Sequence, residues 1–291
     1  MSRFANNVKT ALLMGGLMGL FLLVGSFYGQ QGLLIALIFG GLTNIFAWFY
    51  SDKIAIATMR GQEVPADATG VPGELYHLVD ELRQRAGLPM PRVYICPQPA
   101  PNAFATGRSP SHAAVAVTQG ALQVLSLDEL RGVIGHELSH VKNRDTLTTA
   151  IAATVAGVLA YIATWGWLLG GRSRDANPIL MLLTIIFAPI AAAIIQAMIS
   201  RSREYVADAD GAAIAGSPNG LISALQKLDA YAHRVPMQNP NPAQNSMFIV
   251  QPFTGRSIMN MFATHPPMEN RILALRKLGA KMSGTAYYQG Q

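Results

Sequence analysis

Charge is what this sequence has least of. Of its 291 residues 13% are charged and 51% hydrophobic, where an ordinary soluble domain carries roughly 25% charge. So few charges cannot cover the whole surface in water, and part of the chain is expected to face lipid. Cysteine is nearly absent as well. Cys96 stands alone, which excludes an intrachain disulfide and any thiolate metal cluster assembled within one chain. It sits in the apolar run 92–96, where a buried structural thiol is the plain reading, and disulfide-free soluble segments suit a reducing compartment. The net charge is +6, yet the cations are not gathered on one face among stacking aromatics, as nucleic-acid binding requires. They flank apolar runs instead: Arg3 and Lys9, Lys53 and Arg60, Lys142 and Arg144, Arg201 and Arg203. That is the pattern of cytoplasmic membrane flanks, and no nucleic-acid partner is expected.

What is abundant is long apolar sequence. Four runs, 11–28, 32–50, 147–170 and 178–199, approach or exceed the roughly 20 residues that cross a bilayer. The first lacks a small-residue cleavage site and is followed at once by the second, so the pair reads as an uncleaved hairpin. Trp48, Phe49 and Tyr50 suit an interfacial aromatic belt. Thr148, Thr149, Gln196 and Pro189 make the third and fourth runs less uniform; burial in a large soluble core is the alternative for these two. As spans, their polar residues would face neighbouring helices. Two hairpins return 1–10, 51–146 and 200–291 to one side of the membrane. The positive flanks make that side the cytosol, with Arg172 and Arg174 of the short far-side loop opposed but outnumbered. The implied division is an N-terminal transmembrane hairpin (1–50), a first cytosolic part (51–146), a second hairpin (147–200) and a second cytosolic part (201–291).

The cytosolic parts mix structure types. Leu75, Leu78, Val79 and Leu82 share one face of a helix predicted over 72–86. Segments 92–96 and 113–118 read as strands. Ser126-Leu-Asp-Glu129 is a capping-box signature opening a helix over 126–143. Further helices are predicted over 221–233 and 267–278, and a Pro-, Asn- and Gln-rich loop over 236–253. The fold class is α+β.

The helix at 126–143 contains Gly135-His-Glu-Leu-Ser-His140. Residues four apart lie about 6 Å apart along the axis on one helical face, so His136 and His140 can present imidazoles to one tetrahedral ion. Glu137 projects about 100° round from His136, beside that ion, where it can take a proton from a metal-activated water. A catalytic zinc needs a third protein ligand and an open position. A metzincin would draw it from a Gly and His downstream, where Asn143 and Thr146 stand instead. A glutamate on a later helix is the other solution. Arg203-Glu-Tyr-Val-Ala-Asp208 offers Glu204 as ligand, with Asp208 on the same face to receive a hydrogen bond from an imidazole, His136 foremost. A hairpin starting just after His140 and ending just before Glu204 returns the carboxylate to the histidines.

At these residues the chain resembles the HtpX family of bacterial membrane metalloproteases, relatives of the CAAX prenyl proteases. The resemblance covers essentially the whole length. It is carried by two apolar runs, Asn102-Ala-Phe-Ala-Thr-Gly107, the histidine motif, two more runs, Ser202-Arg-Glu-Tyr-Val-Ala-Asp208 and Thr264-His-Pro-Pro267, in that order. It implies four transmembrane helices and a mainly helical, zincin-like domain with a small β-sheet. It further implies one Zn2+ per chain and a place in the bacterial inner membrane with the active site facing the cytosol. The partners implied are polypeptide substrates, misfolded or damaged membrane proteins among them, and the lipid bilayer. By the same resemblance Asn102 and Phe104 belong to an edge on which an extended substrate adds. His265 would donate to the oxyanion, and Arg271 would support substrate or a nearby carboxylate. Two other readings stand beside this one, a CAAX-type prenyl protease and a non-enzymatic zinc-binding membrane scaffold. The second would need a zinc closed by four protein ligands, and the residues supply three plus an acid placed as a base.

Overall fold

The computed structural model describes residues 3–26, 29–148, 201–234 and 266–288. The bulk of the third and fourth apolar runs, the loop at 236–253 and His265 lie outside them. Two long helices open the chain, α1 (Arg3–Ser26) and α2 (Gly29–Thr58), packed against each other as a hairpin. In α2 the window Gly29–Tyr50 is long and apolar enough to cross a membrane, with only 22% of it buried inside the protein. Ile35, Phe39, Leu42 and Phe46 are each more than half exposed, which argues against a soluble core helix. In α1 the apolar stretch is the shorter Thr10–Leu23. The Thr10 and Thr148 hydroxyls pair at 3.0 Å, and Asn44 donates to the Met14 carbonyl at 3.0 Å. Polar groups in these helices thus find partners within the protein.

Helix α2 does not stop where its apolar window does. It continues to Thr58, and its last turns pack under a four-stranded mixed sheet built from β1 (Gln62–Glu63), β2 (Arg92–Cys96), β3 (Ala103–Gly107) and β4 (Ala113–Thr118). The strand order is β1-β2-β4-β3, with β2 and β4 parallel and both outer pairs antiparallel. Alternation along the strands divides the side chains between two cores. Tyr94, Cys96, Phe104, Ala114 and Ala116 meet Ala55 and Ile56 of α2 and Met59 just beyond its end. Val93, Ala103, Val115 and Val117 face the main core. Buried on both faces, β4 reads as a continuous apolar run, and burial pushes the Cys96 thiol up to about 11.

The main core is closed by helices: α3 (Gly70–Ala86), α4 (Gln119–Val124), α5 (Leu127–Asn143), α6 (Arg201–Ala215), α7 (Asn219–Arg234) and α8 (Met268–Tyr288). Strands 92–96 and 113–118 fall where their sequence pattern places them. The segment 103–107, where the sequence pattern marks no strand, is the edge strand β3.

Central helix α5 begins with a complete capping box between Ser126 and Glu129. The Glu129 carboxylate also accepts from Lys227 at 2.8 Å and from Ser223, tying α5 to α7. Burial works to raise its pKa, but bonds from Lys227, Ser223 and the Ser126 N–H outweigh that and hold it at about 2. A carboxylate depressed in the folded state stabilises fully above its ordinary value of 4.5, and that contribution is lost as pH falls towards 2. Melting temperature measured from pH 6 to pH 2 is therefore expected to drop through this window, and Glu129→Gln to flatten that part of the drop. Ser126→Ala, which removes half the box, is expected to cost about 1 kcal/mol.

Candidate metal centre

Two close helix crossings set the distances at the centre. Where α5 meets α6, Gly135 faces Gly211. A Cβ built on Gly211 would stand 2.7 Å from backbone atoms of His136, and one on Gly135 2.7 Å from the Gly211 carbonyl. Where α5 meets α7, a Cβ on Gly132 would lie 2.4 Å from the Leu221 nitrogen, and one on Gly220 2.1 Å from the Asp128 carbonyl. These contacts are with backbone, which cannot swing aside, so only glycine permits the approach. Alanine would gain up to about 1 kcal/mol of helix propensity, but overpacking a crossing this tight costs about 1–3 kcal/mol, and the crossing wins.

This proximity brings α6 side chains onto the histidine face of α5. His136 Nε2 and His140 Nε2 are 3.2 Å apart, and each lies 3.7 Å from a carboxylate oxygen of Glu204. One candidate ligand atom from each residue falls within 4.8 Å of the other two. Their opposite ring nitrogens face carboxylates. His136 Nδ1 lies 3.0 Å from Asp208 Oδ1, close but not aligned as a hydrogen bond. His140 Nδ1 bonds Asp145 Oδ2 at 3.1 Å. An imidazole whose Nδ1 proton faces a carboxylate directs its Nε2 lone pair the other way. Two such lone pairs and a carboxylate oxygen then crowd one small volume, an arrangement that a cation relieves. The donor set, two imidazoles and a carboxylate, is the kind that zinc takes in catalytic sites.

Asp145 had no sequence signal. Arg144 ends α5 in the left-handed conformation, φ 59°, with its N–H returned to the His140 and Val141 carbonyls. That turn folds Asp145 back onto His140, and buried Arg203 of α6 steadies it from 3.4 Å. Burial pushes His140 towards its neutral form, but the bond to Asp145 and the field of Glu204 and Glu137 outweigh it and raise its pKa to about 9, so without a cation Nε2 holds a proton that a metal would displace to reach the lone pair. The cluster thus carries a surplus of negative potential at the point where the Nε2 atoms meet.

Arg271, at the start of α8, is wholly buried and grips Asp208 with two bonds, Nε at 2.8 Å and Nη2 at 2.6 Å, while Nη1 lies 3.6 Å from Glu204. Burial alone would raise Asp208; the guanidinium beside it holds the carboxyl down at about 2. Glu137, next to His136 on α5, accepts from the Ala105 N–H at 2.7 Å. Burial is the main cause lifting its carboxyl above the ordinary range. Asn102 is buried at the start of this edge, its N–H donating to the Thr118 hydroxyl and its carbonyl accepting from the Thr118 N–H. Phe104 is buried on the sheet face that meets α2.

With the geometry in hand, comparison with known proteins is direct. Residues 72–279 match the model of peptidase family M48. The chain belongs to this family. Among its relatives are proteins named Protease HtpX homolog. That of Desulforapulum autotrophicum is 49% identical over 93% of this chain and 89% of its own length. That of Nostoc punctiforme is 47% identical over 97% and 99%, and that of Thermococcus kodakarensis 49% over 94% and 97%. Among solved structures, Ste24p of S. mikatae matches with a TM-score of 0.53 at 16% identity, over 94% of this chain and 66% of that one; at that identity the likeness is one of fold. The protein is thus an M48 metalloprotease of the HtpX kind, and zinc is the metal the family implies.

Asp145→Asn keeps the size of the side chain but weakens its hold on His140. Loss of such an orienting partner typically costs about 10–100-fold in metal affinity. That loss is expected in competition with a chelating indicator, with helix content by circular dichroism unchanged.

Proposed function

We propose that the protein is a membrane-embedded zinc endopeptidase that hydrolyses peptide bonds of misfolded or damaged membrane proteins in quality control. Its active site would face the cytosol, below four transmembrane helices in the bacterial inner membrane. The observation that carries this reading is the convergence of His136, His140 and Glu204 within 4.8 Å, with Glu137 beside them at an open sheet edge. The HtpX relatives support the membrane setting, as does the exposed apolar window of α2.

His136, His140 and Glu204 would hold the metal, which when bound supplies Lewis acidity to polarise a carbonyl and make water nucleophilic near neutral pH. Glu137 is the base that receives the water's proton and then delivers it to the leaving amine. Its burial suits that task, because a carboxyl lifted above its ordinary range accepts a proton more readily. Asp208 and Asp145 keep the two rings turned inward, and Arg271 fixes Asp208 and neutralises part of the acid cluster.

The edge strand supports a substrate role for β3. Thr118 N–H donates to the Asn102 carbonyl at 2.9 Å, so in this antiparallel register residues 102, 104 and 106 bond inward to β4, while 103, 105 and 107 point their backbone groups outward. Thr146 occupies the Gly107 carbonyl and Glu137 the Ala105 N–H. The outward groups of Ala103 and the Ala105 carbonyl are placed for an extended peptide to add as a further strand. Asn102 and Phe104 then act by shaping the edge, and His265 keeps the oxyanion role by resemblance alone.

Glu137→Gln is expected to lower casein cleavage by about 10²–10⁴-fold in detergent-purified protein while zinc content by mass spectrometry stays at the wild-type level. Near-normal cleavage by that variant would refute the assignment of the base.

A further inference from the structure

The apolar window of α2 ends at Tyr50. Its 22 residues span about 33 Å of helix, close to the roughly 30 Å of a bilayer's hydrocarbon core, so in the membrane setting proposed above the helix would leave the bilayer at Phe49 and Tyr50. At that level four separate segments surround a cavity of about 520 Å³: the end of the α2 window, the start of β2, the residue after β3 and the turn leading into β4. The volume lies within the roughly 300–1,000 Å³ of small-molecule sites.

Its charge is mostly positive. Lys53, Arg92 and Arg108 line it against a single carboxylate, Asp52, and His112 completes the polar wall. Asp52 is paired with Arg92. Among the described residues neither Lys53 nor Arg108 is paired with a carboxylate. Arg108 is nevertheless held in place. One Nη donates to the Phe49 carbonyl at 3.2 Å, and the guanidinium stacks 5.1 Å from the Phe49 ring centroid. Lys53 stands 5.2 Å over the ring of Tyr50. Five donors radiate from a guanidinium, so Arg108 keeps most of its donors for a ligand.

The opposite lip of the cavity is apolar. Ile45 and Phe49 line it and are 57% and 49% exposed, on the same helix that leaves Phe46 and Leu42 exposed. A ligand here meets cations at one end and a hydrocarbon-facing surface at the other. We propose that this cavity binds the phosphodiester headgroup of an anionic phospholipid, its acyl chains running along α2. Arg108 and Lys53 contact the phosphate and Arg92 adds long-range attraction. A free phosphate shares the headgroup chemistry but gains nothing from the apolar lip. Because the last turns of α2 pack under the sheet that carries β3 and β4, bound lipid would brace the catalytic domain against the membrane.

The test is native mass spectrometry of the full chain in detergent, titrated with phosphatidylglycerol, with phosphatidylcholine, or with phosphatidylglycerol plus excess inorganic phosphate. Each cation near a membrane surface is worth about fivefold in affinity, so Lys53→Gln/Arg108→Gln is expected to weaken phosphatidylglycerol binding roughly thirtyfold. Arg276→Gln/Lys277→Gln, an equal charge change on α8, is expected to leave it within about twofold. Should the double variant fail to fold, Lys53→Gln alone, an exposed side chain, still predicts about fivefold weakening. Equal loss in the site and control variants would overturn the site. Equal binding of phosphatidylcholine, or displacement of the lipid by inorganic phosphate, would overturn the anionic-lipid assignment.

Discussion

The contact between Gly135 and Gly211 governs the rest of the structure. Helices usually pack with axes about 8–10 Å apart, according to the side chains between them. Here nothing but hydrogen separates the two backbones, and the saving in distance is what lets a glutamate on α6 reach the ring nitrogens of α5. A Cβ at either position would have to push the helices apart by displacing main chain, and Glu204 would retreat with α6. The second glycine crossing, Gly132 with Leu221 and Gly220 with Asp128, holds the preceding turns of α5 close to α7, so the motif helix is pinned to both α6 and α7.

Around that clamp, charges are layered outwards. Glu204 faces the histidine Nε2 atoms, Asp208 and Asp145 face the Nδ1 atoms, and Arg271 and Arg203 back the two aspartates. Every layer is nearly water-free, so each charge is tolerable only because the next one answers it. Removing one member of a buried pair of this kind costs about 3–5 kcal/mol. The layers therefore fix side-chain directions as much as they stabilise the fold. Glu137 adjoins this nest without joining its layers. Its partner is a backbone N–H of an edge strand, which ties the base to the place where a substrate chain would lie.

Much of this was legible in the residues. The spacing of His136 and His140, the capping box at Ser126 and the same-face pairing of Glu204 with Asp208 are local patterns, and helical geometry alone converts them into positions. Other parts were hidden for physical reasons. Ala103-Phe-Ala-Thr-Gly107 lacks the β-branched alternation that marks a strand, because both faces of the sheet are buried and close neighbours demand small side chains. The charges at Asp52 and Lys53 look like the end of a span, yet α2 carries on to Thr58, because its Ala55 and Ile56, with Met59 just beyond, find a second core. Asp145 depends on a left-handed turn at an arginine, a conformation that no residue preference announces. The glycines at 132, 135, 211 and 220 gain meaning only once two helices are seen to cross.

The central claim is that a carboxylate from a distant segment completes a coordination shell begun by two imidazoles. Zinc K-edge absorption on the purified chain measures that shell directly. The account predicts two imidazole nitrogens at about 2.0–2.1 Å and carboxylate oxygen at about 2.0–2.2 Å, with imidazole scattering retained and the carboxylate contribution lost in Glu204→Ala. An identical first shell in wild type and Glu204→Ala would contradict it.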